Sequence, residues 1–230
     1  MSHLPIVLLH GALGSKEQLA PLSASLSPFF ETYSLSFEGH GGIESTKDFS
    51  MALFAENLLS FLENNALQKV HLFGYSMGGY VALQFAKNNP ERVGNIITLG
   101  TKFNWTPEIA EKEVKMLRPD VIEHKVPKFA QMLENIHAPC DWKKMMQKTA
   151  TMMIGLGGDM KLKDVDFAKI SHRVLIIVGS EDHMVSTEES KYVAALLPNG
   201  KTWVADKVPH AIEKTDPAIL VDLITNHINK

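Results

Sequence analysis

Six short apolar runs, almost free of charge and separated by stretches of helical period, constrain the fold of this sequence more than any other feature. They lie at 4–9, 32–37, 70–73, 95–99, 174–178 and 202–205. A strand that is apolar along its length, rather than at alternate positions, must be covered on both faces, which is the condition of a parallel sheet between layers of helices. The intervening text supplies those helices. Over 49–61, Phe49, Leu53, Phe54, Leu58 and Phe61 recur at three- and four-residue steps and form one apolar face, with Asp48 in front as a candidate N-cap. Further helices are expected over 77–87, 187–196 and 217–228, the last with Pro217 in its first turn. Ser15 followed by Gln18 has the form of a capping box. Alternating strands and helices with short connectors imply right-handed crossovers. The expected fold class is therefore α/β, a doubly wound, mostly parallel sheet of about six strands with flanking helices.

Residues 104–168 break the alternation. They contain no strand signal, read as helical with punctuation at Pro107, Pro119, Pro127 and Pro139, and hold seven of the eleven methionines. The simplest organisation is one core domain formed by 1–103 and 169–230, with 104–168 inserted between two of its strands. The 230 residues carry 23 Lys+Arg against 26 Asp+Glu, a formal net charge of −3 with no long basic block. That balance argues against nucleic acid or an anionic membrane as the main partner. The single cysteine, Cys140, cannot form an internal disulfide. No apolar run reaches the ~18–20 residues of a membrane span, and the first residues lack a basic, cleavable leader pattern. A cytoplasmic location without stable membrane association is expected.

Chemistry is concentrated at Gly74-Tyr75-Ser76-Met77-Gly78, directly after one strand and directly before a helix. The G-x-S-x-G pattern in this strand–turn–helix setting holds a serine at a strained, exposed apex, and the glycines are needed because the turn brings neighbouring backbones too close for side chains. A serine hydroxyl is a weak nucleophile until a base removes its proton. Two later post-strand loops offer partners: Gly179-Ser180-Glu181-Asp182-His183 and Val208-Pro209-His210-Ala211. GxxxxGK[ST], HExxH and CxxC are all missing, and His210-Ala211-Ile212-Glu213 has the wrong spacing for a helical metal pair, so no cofactor or metal is expected.

From His10-Gly11 to the final helix, the chain resembles the α/β-hydrolase superfamily, in particular its serine esterases and lipases with a helical cap. The resemblance implies a catalytic triad of Ser76 as nucleophile, Asp182 as orienting acid and His210 as general base, with Glu181 as the rival acid. It also implies that His10-Gly11-Ala12-Leu13-Gly14 is the oxyanion loop. The two oxyanion N–H donors would be Met77 and Ala12, with Leu13 the alternative to Ala12. His10 and the Gly39-His40-Gly41 loop read as structural, and His71, His124, His137, His172 and His227 as surface or packing residues. By the same resemblance, 104–168 occupies the slot of the cap. The stripes Met145/Thr149/Met152 and Met146/Ala150/Met153 would either line an apolar pocket or pack the cap onto the core. No lysine or arginine is marked out by sequence as a carboxylate clamp.

A serine at the elbow, rather than an aspartate, favours attack on acyl carbons. The expected function is hydrolysis of carboxylic esters of small to medium acyl chains through an acyl-enzyme on Ser76, with a small-molecule ester as partner. The alternatives are a lyase or acyltransferase on the same triad, and a ligand-binding or signalling module on a hydrolase scaffold.

Overall fold

A computed structural model describes residues 4–229. The expected runs become six strands: β1 (Ile6–Leu9), β2 (Thr32–Leu35), β3 (Val70–Tyr75), β4 (Val93–Leu99), β5 (Arg173–Glu181) and β6 (Asn199–Pro209). They form one sheet in the order β2-β1-β3-β4-β5-β6, and every neighbouring pair is parallel. The helices of the core are α1 (Ala20–Leu26), α2 (Met51–Asn64), α3 (Met77–Asn88), α9 (Thr187–Leu196) and α10 (Pro217–Ile228). Between β4 and β5 lie five more: α4 (Pro107–Val114), α5 (Pro119–Lys125), α6 (Pro127–His137), α7 (Trp142–Gly157) and α8 (Asp164–Phe167).

The apolar runs bury both faces of the sheet. Along β1, Val7 and Leu9 join the cluster of α2 and α3, whereas Ile6 and Leu8 join that of α1 and α10. This is the period-two alternation of a strand sandwiched between two helical layers. The longest departure from expectation is β6, which extends well beyond 202–205. As an edge strand it leaves most of its side chains in water and tolerates Lys201, Asp206 and Lys207, so the apolar signal covers only part of it.

Local signals differ in two places. The N-cap of α2 is Ser50, whose hydroxyl accepts the Leu53 N–H at 3.0 Å, two residues beyond Asp48. Ser15 makes no side-chain cap bond. Its partner Gln18 turns inward, accepting the Gly11 N–H at 3.2 Å and donating to Glu213 at 2.7 Å, while the α-helix starts later, with Pro21 in its first turn. Among the described residues no helix is long and apolar enough to cross a membrane.

The strand order reverses direction between β1 and β3. In open parallel sheets the crevice outside the carboxyl ends at such a switch point is where ligands bind. The loop at 10–14 leaves β1 there, and the turn at Ser76 leaves β3.

Candidate active site

Ser76 sits at φ 51°, ψ −115°, a region that a residue with a Cβ avoids at a cost of about 1–3 kcal/mol. The surrounding backbone holds it in place. Its N–H donates to the Leu99 carbonyl at 2.8 Å, and its own carbonyl accepts from the Gly79 N–H at 3.1 Å and the Thr101 hydroxyl at 3.0 Å. The elbow glycines are sterically required: a Cβ on Gly78 would drive into the Leu9 carbonyl, and one on Gly74 into the backbone of Gly78 and Gly79. Met77 opens α3, so its N–H is among the first-turn donors that have no partner within the helix.

Asp182 and His210 come together from the loops after β5 and β6. Asp182 Oδ2 accepts from His210 Nδ1 at 2.8 Å, and Oδ1 accepts the N–H groups of Met184 at 2.8 Å and Val185 at 3.0 Å. The carboxylate is 1% exposed against 17% for the imidazole, so water competes little for the pair. Burial alone would raise the Asp182 pKa, but the hydrogen bond and charge of His210, with the two N–H donors, hold it below the ordinary carboxylate range. Glu181, the rival acid, is an exposed terminal residue of β5. The Tyr75 ring packs 5.6 Å from the imidazole of His210.

The loop after β1 is a tight turn closed by a Gly14 N–H to Gly11 carbonyl bond of 3.2 Å, with Leu13 at φ 60°. The Gly11 and Gly14 amides are thus both engaged, which directs attention to Ala12 and Leu13 as donors. Ala12 lines the same pocket as Ser76, Met77 and His210. His10 braces the loop from below: its Nδ1 meets the Gly11 carbonyl at 2.8 Å and its Nε2 accepts the Phe37 N–H at 3.1 Å. Full burial holds its pKa down at about 4, partly opposed by the Gly11 carbonyl and reinforced by His137.

The pocket itself is small, with a free volume of about 50 Å3. Of the two methionine stripes on α7, only Met152 and Met153 reach it, joined by Met51, Met77, Met184, Trp105 and Leu156. Met145 and Met146 pack into the core clusters instead. Sequence reasoning missed one charged feature. Lys102, three residues beyond the end of β4, lines the pocket with its Nζ 3.5 Å from Glu113 of α4 and donating to the Met184 carbonyl at 2.6 Å. Its place just past the carboxyl end of a central strand is the signal that could have found it. Tyr80 of α3 also lines the pocket, and its hydroxyl accepts the Leu162 N–H at 2.6 Å, with burial raising its pKa to about 12. No group of His, Cys, Asp and Glu among the described residues could hold a metal ion.

The sequence model of the alpha/beta hydrolase fold matches residues 5–141, more than half of the chain. The chain belongs to the alpha/beta hydrolase family. Two curated relatives of this family are similar over nearly the whole chain. A putative esterase/lipase of Haemophilus influenzae is 20% identical, covering 98% of this chain and 83% of that protein. A pimeloyl-[acyl-carrier protein] methyl ester esterase of Aeromonas salmonicida is 26% identical, covering 95% and 93%. Among solved structures, the malate-bound thermophilic esterase of Thermogutta terrifontis superposes with a TM-score of 0.80 at 19% identity, covering 99% of this chain and 90% of that one. At that identity the likeness concerns the alpha/beta hydrolase fold, with its parallel sheet and flanking helices.

Proposed function

We propose that this alpha/beta hydrolase cleaves carboxylic esters with small to medium, uncharged acyl groups through an acyl-enzyme on Ser76. The observation that carries the proposal is the convergence on one apolar pocket of a serine at a strained elbow and a histidine whose far nitrogen is bonded to a buried aspartate. The hydrolase relatives support the reaction class.

In this mechanism His210 Nε2 takes the Ser76 hydroxyl proton as Oγ attacks the acyl carbon. Asp182 keeps the other proton on Nδ1 and stabilises the imidazolium. The oxyanion is met by the Met77 N–H and by a second N–H from the loop after β1, Ala12 in our assignment. Collapse of the intermediate expels the alkoxide, which leaves with the proton held by His210. Water then attacks the acyl-enzyme with His210 again as base, and Ser76 recovers its proton from the imidazolium as the acid departs.

In the same reading, 104–168 is a cap over a core made of 1–103 and 169–230. Met152, Met153, Leu156 and Trp105 supply its part of the acyl pocket, and the free volume of about 50 Å3 favours short chains. The Lys102–Glu113 pair contributes no net charge, consistent with uncharged substrates. The test is a fluorophosphonate label combined with a panel of aryl esters of graded chain length. Ser76 should be the labelled residue, and Ser76→Ala should lose both label and turnover while melting as the parent does. Full ester turnover by Ser76→Ala would end the proposal.

A further inference from the structure

The loop carrying the second oxyanion donor adopts a conformation that its sequence disfavours. Gly11 to Gly14 form a four-residue turn closed by the Gly14-to-Gly11 bond, and Leu13, at the third position, has φ 60°. That left-handed value belongs to type II turns, where the position normally goes to Gly or Asn because a Cβ crowds the backbone. The relaxed alternative is the type I turn. It differs by a flip of the central peptide, between Ala12 and Leu13, which exchanges the directions of the Leu13 N–H and the Ala12 carbonyl and so reverses the peptide dipole next to the Ala12 N–H. Something outside the turn must therefore favour the strained form.

That contact comes from a side chain 124 residues away. His137, the last residue of α6, is fully buried, and its Nε2 lies 3.1 Å from the Leu13 carbonyl. Its Nδ1 accepts the Gly41 N–H at 3.0 Å. Both bonds form together only in the neutral imidazole that carries its proton on Nε2. Burial favours that neutral form, lowering the His137 pKa, with the Leu13 carbonyl partly opposing. The other titratable rings facing it are His40, 5.8 Å away by ring centroid, and His10 beyond, both themselves held neutral by burial. The Leu13 side chain also packs beside the cluster of Leu133, Trp142 and Met146, so the inserted helices grip the turn by side chain and by carbonyl at once.

We infer that His137 is a positioning residue for catalysis: by donating to the Leu13 carbonyl it holds the 11–14 turn in its left-handed form and so fixes the orientation of the Ala12–Leu13 peptide dipole beside the second oxyanion donor, the Ala12 N–H. The inference rests on the serine-hydrolase reading for its catalytic consequence, but the contact can be tested separately. Seating of the inserted helices and competence of the oxyanion site thereby become one event, because the same imidazole belongs to both.

Two substitutions divide its two bonds. His137→Gln carries an amide long enough to donate to Leu13, whereas His137→Asn keeps an oxygen near the Nδ1 position for Gly41 but falls short of Leu13. Losing one oxyanion donor costs ~10²–10³ in turnover, so a loosened one should cost about 10–100-fold. His137→Asn should lower kcat by that factor on a short aryl ester with KM within about threefold, while His137→Gln recovers most of it. Amide hydrogen exchange across 9–16 should be faster in His137→Asn than in His137→Gln or the parent. Equal kcat in the two variants, or a loss confined to KM, would overturn the inference while leaving the Ser76 reading intact. A parent protein that neither takes the fluorophosphonate label nor turns over esters would sink the Ser76 reading alone. The exchange comparison would then still decide whether His137 holds the turn, and unchanged exchange in His137→Asn would refute that as well.

Discussion

Asp182→Asn is the most informative single substitution at the proposed triad, because the two amide orientations have different consequences. Asp182 uses Oδ1 for the Met184 and Val185 N–H groups and Oδ2 for His210. An asparagine must keep its oxygen toward the two N–H donors, since turning the NH2 group toward them would set donor against donor twice in a buried site. The NH2 then faces His210 Nδ1, which can only accept from it, so the imidazole must carry its proton on Nε2. That is the nitrogen needed to take the Ser76 proton. Shape, volume and the two backbone bonds survive; the tautomer does not. For a triad in which only the tautomer is changed, turnover falls by ~10⁴, equivalent to roughly 5 kcal/mol of transition-state stabilisation. The assay is steady-state hydrolysis of a short aryl ester at neutral pH, with fluorophosphonate labelling kinetics as an independent measure of Ser76 nucleophilicity. Glu181→Gln serves as control and should leave both unchanged. A kcat for Asp182→Asn within tenfold of the parent would refute the tautomer argument, and a large loss in Glu181→Gln would transfer the acid's role to that residue.

Two further outcomes follow from burial. Met152, with Met51 and Leu156, lines both the Ser76 pocket and a neighbouring hollow of about 240 Å3 that Ser50, Ala52, Gln84 and Met160 complete. Met152→Ala should join the two and raise kcat/KM about fourfold for each added acyl methylene that gains burial, at a stability cost of about 2–4 kcal/mol seen as a lower Tm; an unchanged chain-length optimum would count against this wall. His10 has its folded pKa at about 4, below the ordinary ~6.5, so the unfolded chain binds the extra proton between those values. Its stabilising contribution is complete above pH 6.5 and is lost as pH falls toward 4, a total of roughly 3 kcal/mol, with His40 acting in the same direction. Urea midpoints at pH 7 and pH 4.5 should differ accordingly, and His10→Gln should flatten the difference.

The fold was legible because burial on both faces writes itself into sequence as uninterrupted apolar runs, as at 70–73 and 174–178. It faded at β6, where one edge meets water and charge enters the strand. The N-cap of α2 went to Ser50 because only its hydroxyl reaches the Leu53 N–H, a distance that spacing alone does not resolve. At the proposed site, Ser76, Asp182 and His210 could be put forward because each follows a strand and the family resemblance supplies their order along the chain. The pairings of Lys102, Glu113 and His137 could not. Their significance lies in partners 11, 82 and 124 residues away in sequence, and no local periodicity encodes such meetings.

The Lys102–Glu113 pair also bears on how a turnover ends. In the proposed reaction, ester cleavage would convert a neutral guest into an anion inside a chamber walled largely by thioethers and hydrocarbon. The one ammonium among the described residues of that wall already answers to Glu113 and to the Met184 carbonyl. A carboxylate product could recruit it only by stranding Glu113 as a second negative charge close by. For that reaction the chamber would be a better solvent for what enters than for what is made, and the same pairing that leaves arrival unopposed would favour product departure.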